Sequence, residues 1–385
     1  MYIVKILFKN AFRHKLRTFL TILSITIAIL AFGLLRTVIS AWYAGVEASS
    51  ANRLVIRNAV SLVFPLPLSY KDRIRQIEGV KGVSYGNWFG GIYIDEKNFF
   101  PQFAIEPKSY LDLYPEYILS EREREMFLKD RKSFVAGRKI ATKFGWRIGD
   151  TITLKGMIFP GNWEFVLRGI YRGRDETTDE TQFFFHWDYL NESLKKTAPG
   201  RADQVGFYLI GVTSPAVAPG VALSIDNGFR NSLAETLTET EKAFQMSFVS
   251  MSEAIIVAIR VVSLVVILII VAVVANTMAM TARERMGEIA VFKTLGFGGG
   301  RIAGLILGES LVITMLGCAA GIAATFPLAA AFGHAMGTYF PNFKVAEETV
   351  LLDIGSSVAV AILASIVPTW RALTMRIADG LRRIG

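Results

Sequence analysis

Four runs almost free of charge constrain this 385-residue chain more than any motif in it. Residues 18–35 hold no charge, 261–282 none, 302–332 only Glu309, and 354–370 none. Each is close to the roughly 20 apolar residues needed to cross the hydrocarbon core of a bilayer. In a chain that is 52% apolar with mean hydropathy +0.40, they predict a polytopic membrane protein with four transmembrane helices. The first run follows Lys5, Lys9, Arg13, Lys15 and Arg17, as a signal peptide's apolar region would. Its 18 uncharged residues exceed the usual length of that region, and residues 40–44, SAWYA, make a poor cleavage site, so a retained anchor is expected.

Lys and Arg resist translocation, so their positions near the runs predict orientation. Segment 1–17 carries five, 283–301 four (Arg283, Arg285, Lys293, Arg301), 371–385 four, and 333–348 only Lys344. The expected order is therefore a cytoplasmic segment 1–17, transmembrane helix 18–37, extracytoplasmic domain 38–253, and transmembrane helix 254–282. A cytoplasmic segment 283–301, helix 302–332, short outer loop 333–348, helix 349–370 and cytoplasmic tail 371–385 complete it. Between 38 and 253 there are 26 basic and 26 acidic residues, so the net charge of +9 belongs to the membrane flanks, which face anionic lipid. That distribution argues against nucleic acid as a partner, which would need a basic stripe on a soluble domain.

The 216 residues of the outer segment suffice for a core of their own. The single cysteine, Cys318, rules out an intrachain disulfide framework and a cysteine-based zinc site. Short strands are predicted at 54–57, 83–85, 91–95, 103–106, 133–136, 151–154, 165–171, 183–187 and 205–212, with helices at 70–78 and 139–144. The expectation is an α+β domain of two lobes. Residues 172–180, RGRDETTDE, are expected to form an exposed loop. Residues 214–220, SPAVAPG, should break structure before a helical stretch, 221–248, returning to the membrane. Trp88, Phe89, Phe99, Phe100, Trp163 and the Phe183-Phe184-Phe185 run could form a ligand surface, but strand spacing favours core packing.

Catalytic signals are absent. Residues 121–125, ERERE, could pair carboxylates, yet alternating signs on a helix mark a solvated face. His14, His186 and His334 fall on different expected sides of the membrane, and no G-x-S-x-G, H-E-x-x-H or C-x-x-C occurs. No enzyme activity is expected of this chain.

Between the second and third runs lies RERMGEIAVFKTLGF, residues 283–297. Ile289, Val291, Phe292 and Leu295 give an apolar surface, Glu284, Glu288 and Lys293 stand among them, and Gly296 marks the stop. Periodicity alone leaves open an amphipathic helix resting on lipid. The residues themselves resemble the coupling helix of MacB-like and FtsX-like ABC-transporter permeases, patterned R-x-x-E-I-G-x-x-R-A-L-G. Arg285, Glu288, Ile289, Leu295 and Gly296 match, while Ala290 replaces a Gly and Lys293 an Arg. Three more segments are similar to the same family. These are Asn10 to Thr18 at the first helix entry, the 134–151 stretch with Gly137, Gly145, Gly149 and Asp150, and the tail from Pro368, Arg371 and Ala372 to Leu381 and Arg382. The tail departs from the pattern at Ile377 and Asp379.

The resemblance implies a permease subunit that works with a separate ABC ATPase, because no G-x-x-x-x-G-K-[ST] phosphate loop occurs in the 385 residues. ATP and Mg would be bound by that partner, and no cofactor by this chain. Two permease copies, expected as a homodimer in a bacterial inner membrane, would receive the motion of two ATPases through Arg285, Glu288, Ile289, Val291, Phe292, Lys293, Leu295 and Gly296. The outer domain would then export or extract an apolar molecule, lipoprotein or peptide, with a periplasmic adaptor protein as a further candidate partner. The alternatives are force transmission to an outer partner such as a cell-wall hydrolase, and an ATP-independent sensor or scaffold. Asn276 and Glu309 are the polar intramembrane candidates. Gly304, Gly308, Gly317 and Gly321 are candidates for close helix packing, including packing across a dimer.

Overall fold

The computed structural model describes residues 2–175, 177–336, 340 and 343–376. The expected tail positions Ile377, Asp379, Leu381 and Arg382 lie outside them. The described chain divides into two compact units, a helical one and the segment Trp42–Met251.

Four helices are long and apolar enough to cross a membrane: Lys15–Glu47, Glu253–Glu284, Gly299–Met336 and Glu347–Thr374. Each extends past its uncharged run, because flanking charged residues continue the backbone hydrogen bonding without needing apolar surroundings. A short helix, Tyr2–Ala11, precedes them, and another, Met286–Thr294, connects the second and third. In this unit a buried cluster joins Ile25 and Ile29 of the first candidate span to Ile270, Val274 and Met278 of the second, Ile306 and Ile313 of the third, and Val360 and Ala364 of the fourth. Glycines set the closest approaches. A Cβ on Gly317 would stand 2.6 Å from Ile25 Cβ, and one on Gly321 would stand 2.8 Å from Ile29 Cβ.

The second unit is α+β. Its main sheet has eleven strands among the described residues. Ten follow one path: Thr236–Thr240, Arg53–Asn58, Phe207–Val212, Val80–Trp88, Gln102–Ile105, Phe183–His186, Ser133–Gly137, Gly161–Gly173, Thr151–Gly156 and Gly91–Ile92. Tyr117–Ile118 adds to Gly161–Gly173 at the side. The two lobes expected from sequence therefore share one hydrogen-bonded sheet. Successive side chains alternate faces, so Leu54, Ile56, Phe183, Phe185, Tyr208 and Ile210 enter one buried cluster while Val55, Phe184 and Leu209 enter another. Helices Tyr70–Arg75, Trp187–Thr197 and Ala218–Gly228 supply residues to the first cluster, and Pro107–Leu113 and Glu121–Lys129 to the second. With both faces covered, the aromatic run 183–185 is fully buried, as are Phe89 and Phe100, whereas Trp88 and Phe99 stay exposed.

Three local expectations are corrected. The charged stretch 172–180 is not wholly an exposed loop: Thr178 and Glu180 are buried, and Glu180 is satisfied by Arg138 and by the Gly173 N–H. That buried turn lies against Gly137, where a Cβ would come within 2.0 Å of the Glu180 carbonyl oxygen. The stretch 221–248 is not one helix, because Thr236–Thr240 forms a strand on Arg53–Asn58 before helix Glu241–Met251. The β-branched threonines suit a strand, and Asp226 binds the Thr236 and Thr238 hydroxyls at 2.8 and 2.7 Å. In the ERERE stretch Glu123 is not merely solvated. It closes a capping box with Ser120 and accepts the Ile170 N–H at 3.1 Å, tying its helix to the sheet.

Candidate functional site

The short helix Met286–Thr294 exists because the chain must reverse between two long helices, and its ends are specified locally. The second candidate span ends at Glu284, and Arg285 serves as the residue between helices. At the other end Gly296 takes φ 82°. The Gly296 N–H donates to the Lys293 carbonyl at 3.1 Å and the Phe297 N–H to the Phe292 carbonyl at 3.0 Å. That pair of bonds is a Schellman stop, and the apolar contact that accompanies it is Phe292 on Phe297, with ring centroids 5.3 Å apart.

Charged residues then fasten the helix to its surroundings. Arg285 donates to Glu288 at 3.0 Å and to Glu309 of the third candidate span at 2.7 Å. Glu309 is 3% exposed, so this guanidinium compensates a buried carboxylate. Glu288 also accepts from Arg13. Burial opposes the charge on Glu288, but the hydrogen bonds from Arg13 and Arg285 outweigh it and hold the carboxyl below its ordinary 4.5. One turn earlier, Arg17 grips Glu284 with two bonds of 2.8 and 2.7 Å, and His14 lies 3.3 Å from the same carboxylate. Lys293 donates to the carbonyls of Leu373 and Met375 at 2.9 and 2.8 Å, capping the C-terminal end of the fourth candidate span.

The eight residues expected to meet an ATPase thus divide by face. Ile289 is 6% exposed, and with Arg285, Phe292 and Glu309 it lines a cavity of only about 20 Å³. Val291 and Leu295 are exposed at 41% and 70%. Glu288 and Lys293 are engaged with the N-terminal segment and the end of the fourth helix, and Gly296 forms the stop.

Asn276 is exposed and lines a groove of about 690 Å³ with Lys15, Leu20 and Met280. The neighbouring interhelical hydrogen bond joins Thr21 to Thr277 at 3.3 Å. Gly308 lies against Leu7 of the N-terminal helix, Gly317 and Gly321 against this chain's first candidate span, and Gly304 faces open space. Sequence reasoning missed the site roles of Arg13 and Arg17, which figured only as flanking charges. It also treated Glu309 as the one carboxylate within a span, whereas Asp353, in the second turn of Glu347–Thr374, is 1% exposed. Its signal was an acid placed inside an otherwise apolar helix. Among the described residues no group of three or more His, Cys, Asp and Glu side chains is placed to hold a metal.

Residues 260–377 match the FtsX-like permease C-terminal family. No curated protein matches the chain by sequence. Among solved structures, the chain is similar to the periplasmic region of MacB from Actinobacillus actinomycetemcomitans, with 9% identity and TM-score 0.37, covering 53% of this chain and 95% of that one. It is also similar to the extracellular domain of the noncanonic ABC-type transporter YknZ from Gram-positive bacteria, with 12% identity and TM-score 0.36, covering 49% of this chain and all of that one. The matched 260–377 segment contains the second candidate span from residue 260 onward, the third and fourth spans, and every charged contact of Lys293 and Glu309 described above. The chain therefore carries an FtsX-like permease domain, in a molecule of four candidate membrane helices with a large α+β domain between the first two.

Proposed function

We propose that the chain is the permease subunit of an ABC transporter and that a separate ATPase subunit docks on the exposed side of helix Met286–Thr294. The carrying observation is the division of that helix into a clamped side and an open apolar side. Arg285, Glu288 and Lys293 fasten it to the N-terminal segment, the third span and the end of the fourth span. Val291 and Leu295 remain uncovered. A helix held this way moves with the spans, so a push on its open side shifts the bundle between discrete arrangements. The ATPase would bind ATP and Mg and do the chemistry. This chain would transmit the motion, without catalysis of its own.

In this proposal the termini and residues 283–301 face the cytoplasm, the α+β domain lies outside the inner membrane, and two permease copies work together. Export or extraction of an apolar molecule, lipoprotein or peptide, with a periplasmic adaptor, is the activity proposed. The test is co-purification of the ATPase with full-length permease from detergent. Leu295→Asp and Val291→Asp are expected to abolish co-purification, and Glu288→Lys to abolish it or to uncouple ATP hydrolysis, with insertion preserved in each. Normal association and coupling in all three variants would overturn the assignment.

A further inference from the structure

The helical unit buries a carboxylate that the coupling network does not use. Neither oxygen of Asp353 makes a hydrogen bond among the described residues. Its neighbours are polar but otherwise occupied or mute. The Thr325 hydroxyl donates to the Gly321 carbonyl at 2.9 Å, and Cys318 turns its sulfur to the Asp353 backbone carbonyl at 3.6 Å. Ser357, one turn along the same helix, also has a buried hydroxyl without a partner. A lone carboxylate costs several kcal/mol in such a setting, and ionisable residues inside spans pair with one another or mark function.

The position of Asp353 identifies the partner. Its Oδ2 lies 3.2 Å from the point where a Gly33 Cβ would stand, so the carboxylate rests on the bare backbone of the first span. Arg36 is three residues beyond Gly33 and therefore on the same face of that helix. The rise between them is only about 4.5 Å. Helical side chains lean toward the N-terminus of their own helix, so an ordinary helical rotamer carries the Arg36 guanidinium in the direction of Gly33. The Arg36 Nε is buried and has no partner either. Thr37, on the same face and fully buried, donates to the Gly33 carbonyl at 2.7 Å and is not available to the acid. The Arg36 Nε and the Asp353 carboxylate, each buried without a partner, thus belong to one face of the first span and the residue packed on it, with Thr325 also 3.2 Å from the missing Gly33 Cβ.

We propose that Arg36 and Asp353 form an ion-pair latch between the first and fourth spans, open in the arrangement seen here and closed in the state that the resting, solubilised permease mainly populates. Closing it needs rotation of Arg36 about its side-chain torsions, after which the planar guanidinium can donate to both carboxylate oxygens. The latch goes beyond the docking proposal, because it operates whichever motor moves the spans.

The experiment uses the full chain in detergent and compares Arg36→Gln, Asp353→Asn, the double neutral variant and the exchange Arg36→Asp with Asp353→Arg. A latch predicts that each single variant lowers the melting temperature, that the double loses less than the sum, and that the exchange regains much of the loss. Additive losses without recovery in the exchange would overturn it. A second measurement covers variants that insert poorly. Dicyclohexylcarbodiimide labels protonated carboxyls in apolar surroundings, and labelling at Asp353 in native membranes can be mapped by mass spectrometry. Arg36→Gln is expected to raise labelling at Asp353 several-fold while leaving Glu309 unchanged. Equal labelling of Asp353 with and without the arginine would sink the proposal.

Discussion

Arg285 serves two acids at once, and its removal strands the more deeply buried of them. Glu309 would then sit in the helical unit with no compensating charge. Breaking a buried pair costs roughly 3–5 kcal/mol, whereas replacing both partners with apolar groups is often neutral. Arg285→Met should therefore lower the melting temperature of the solubilised chain clearly, and adding Glu309→Leu should recover most of it. A double variant as unstable as the single one would show that Glu309 has another partner. A second residue-level effect concerns pH. Burial pulls the His186 imidazole below its ordinary 6.5, with its Nε2 held 2.7 Å from the Phe127 carbonyl. The unfolded chain then binds the proton more readily than the folded one, so this contribution to stability is complete above about 6.5 and declines as the pH falls through the folded value. Denaturation of the α+β domain between pH 8 and pH 5 should show that decline, and His186→Gln should reduce its slope. Glu309 was visible as an acid in an apolar run and Arg285 as a motif residue. Their union was not, because it spans a helix reversal, and Arg13 meets Glu288 across 275 positions.

At the scale of elements, Gly296 decides where helix Met286–Thr294 ends. An L-residue held at its φ of 82° costs roughly 1–2 kcal/mol, and β-branching adds to that. Gly296→Val should fray the Schellman stop and release the Phe292 ring from Phe297. Limited proteolysis of membranes is expected to cut near residues 294–298 in the variant and to spare the parent chain, and equal cutting would remove Gly296 from this role. Gly317 makes a parallel case within the bundle. With Ile25 Cβ 2.6 Å from its missing Cβ, Gly317→Leu must push the first and third spans apart and should lower the yield of folded protein, measured as the monodisperse fraction on size exclusion. The helix stop at Gly296 and the four long helices were legible because glycine position and unbroken apolar length are local signals. The strand Thr236–Thr240 and the buried turn at Glu180 were not, since each depends on a distant partner: Arg53–Asn58 in one case, Arg138 in the other. The face that Met286–Thr294 presents was equally hidden, because Lys293 is aimed inward by carbonyls 80 residues away.

For the whole molecule, the larger unit has what independent folding requires. Its sheet is covered on both faces by clusters made entirely of its own residues, and a buried charge network joins the segments at its two ends. Arg53, just after the first long helix, bonds Glu241 at 2.8 Å and Glu116 at 2.6 Å and stacks on Tyr114 with its centre 4.1 Å from the ring. Glu241, which opens helix Glu241–Met251, also accepts from the Ser50 N–H and the Tyr114 hydroxyl at 2.8 and 2.9 Å. The Ser50 N–H, the Tyr114 hydroxyl and the Glu116 carboxylate thus converge on the ion pair that Arg53 and Glu241 form between the two ends of the domain. A fragment of residues 48–251 should therefore fold alone and unfold in urea in a single cooperative transition. Glu241→Ala should lower its stability by roughly 3–5 kcal/mol, because Arg53 would be left buried with Glu116 as its sole remaining acid, and Arg53→Met with Glu241→Met should be less damaging than Glu241→Ala alone. A fragment that melts gradually, or one indifferent to Glu241, would show that the domain's order depends on the membrane helices rather than on its own core.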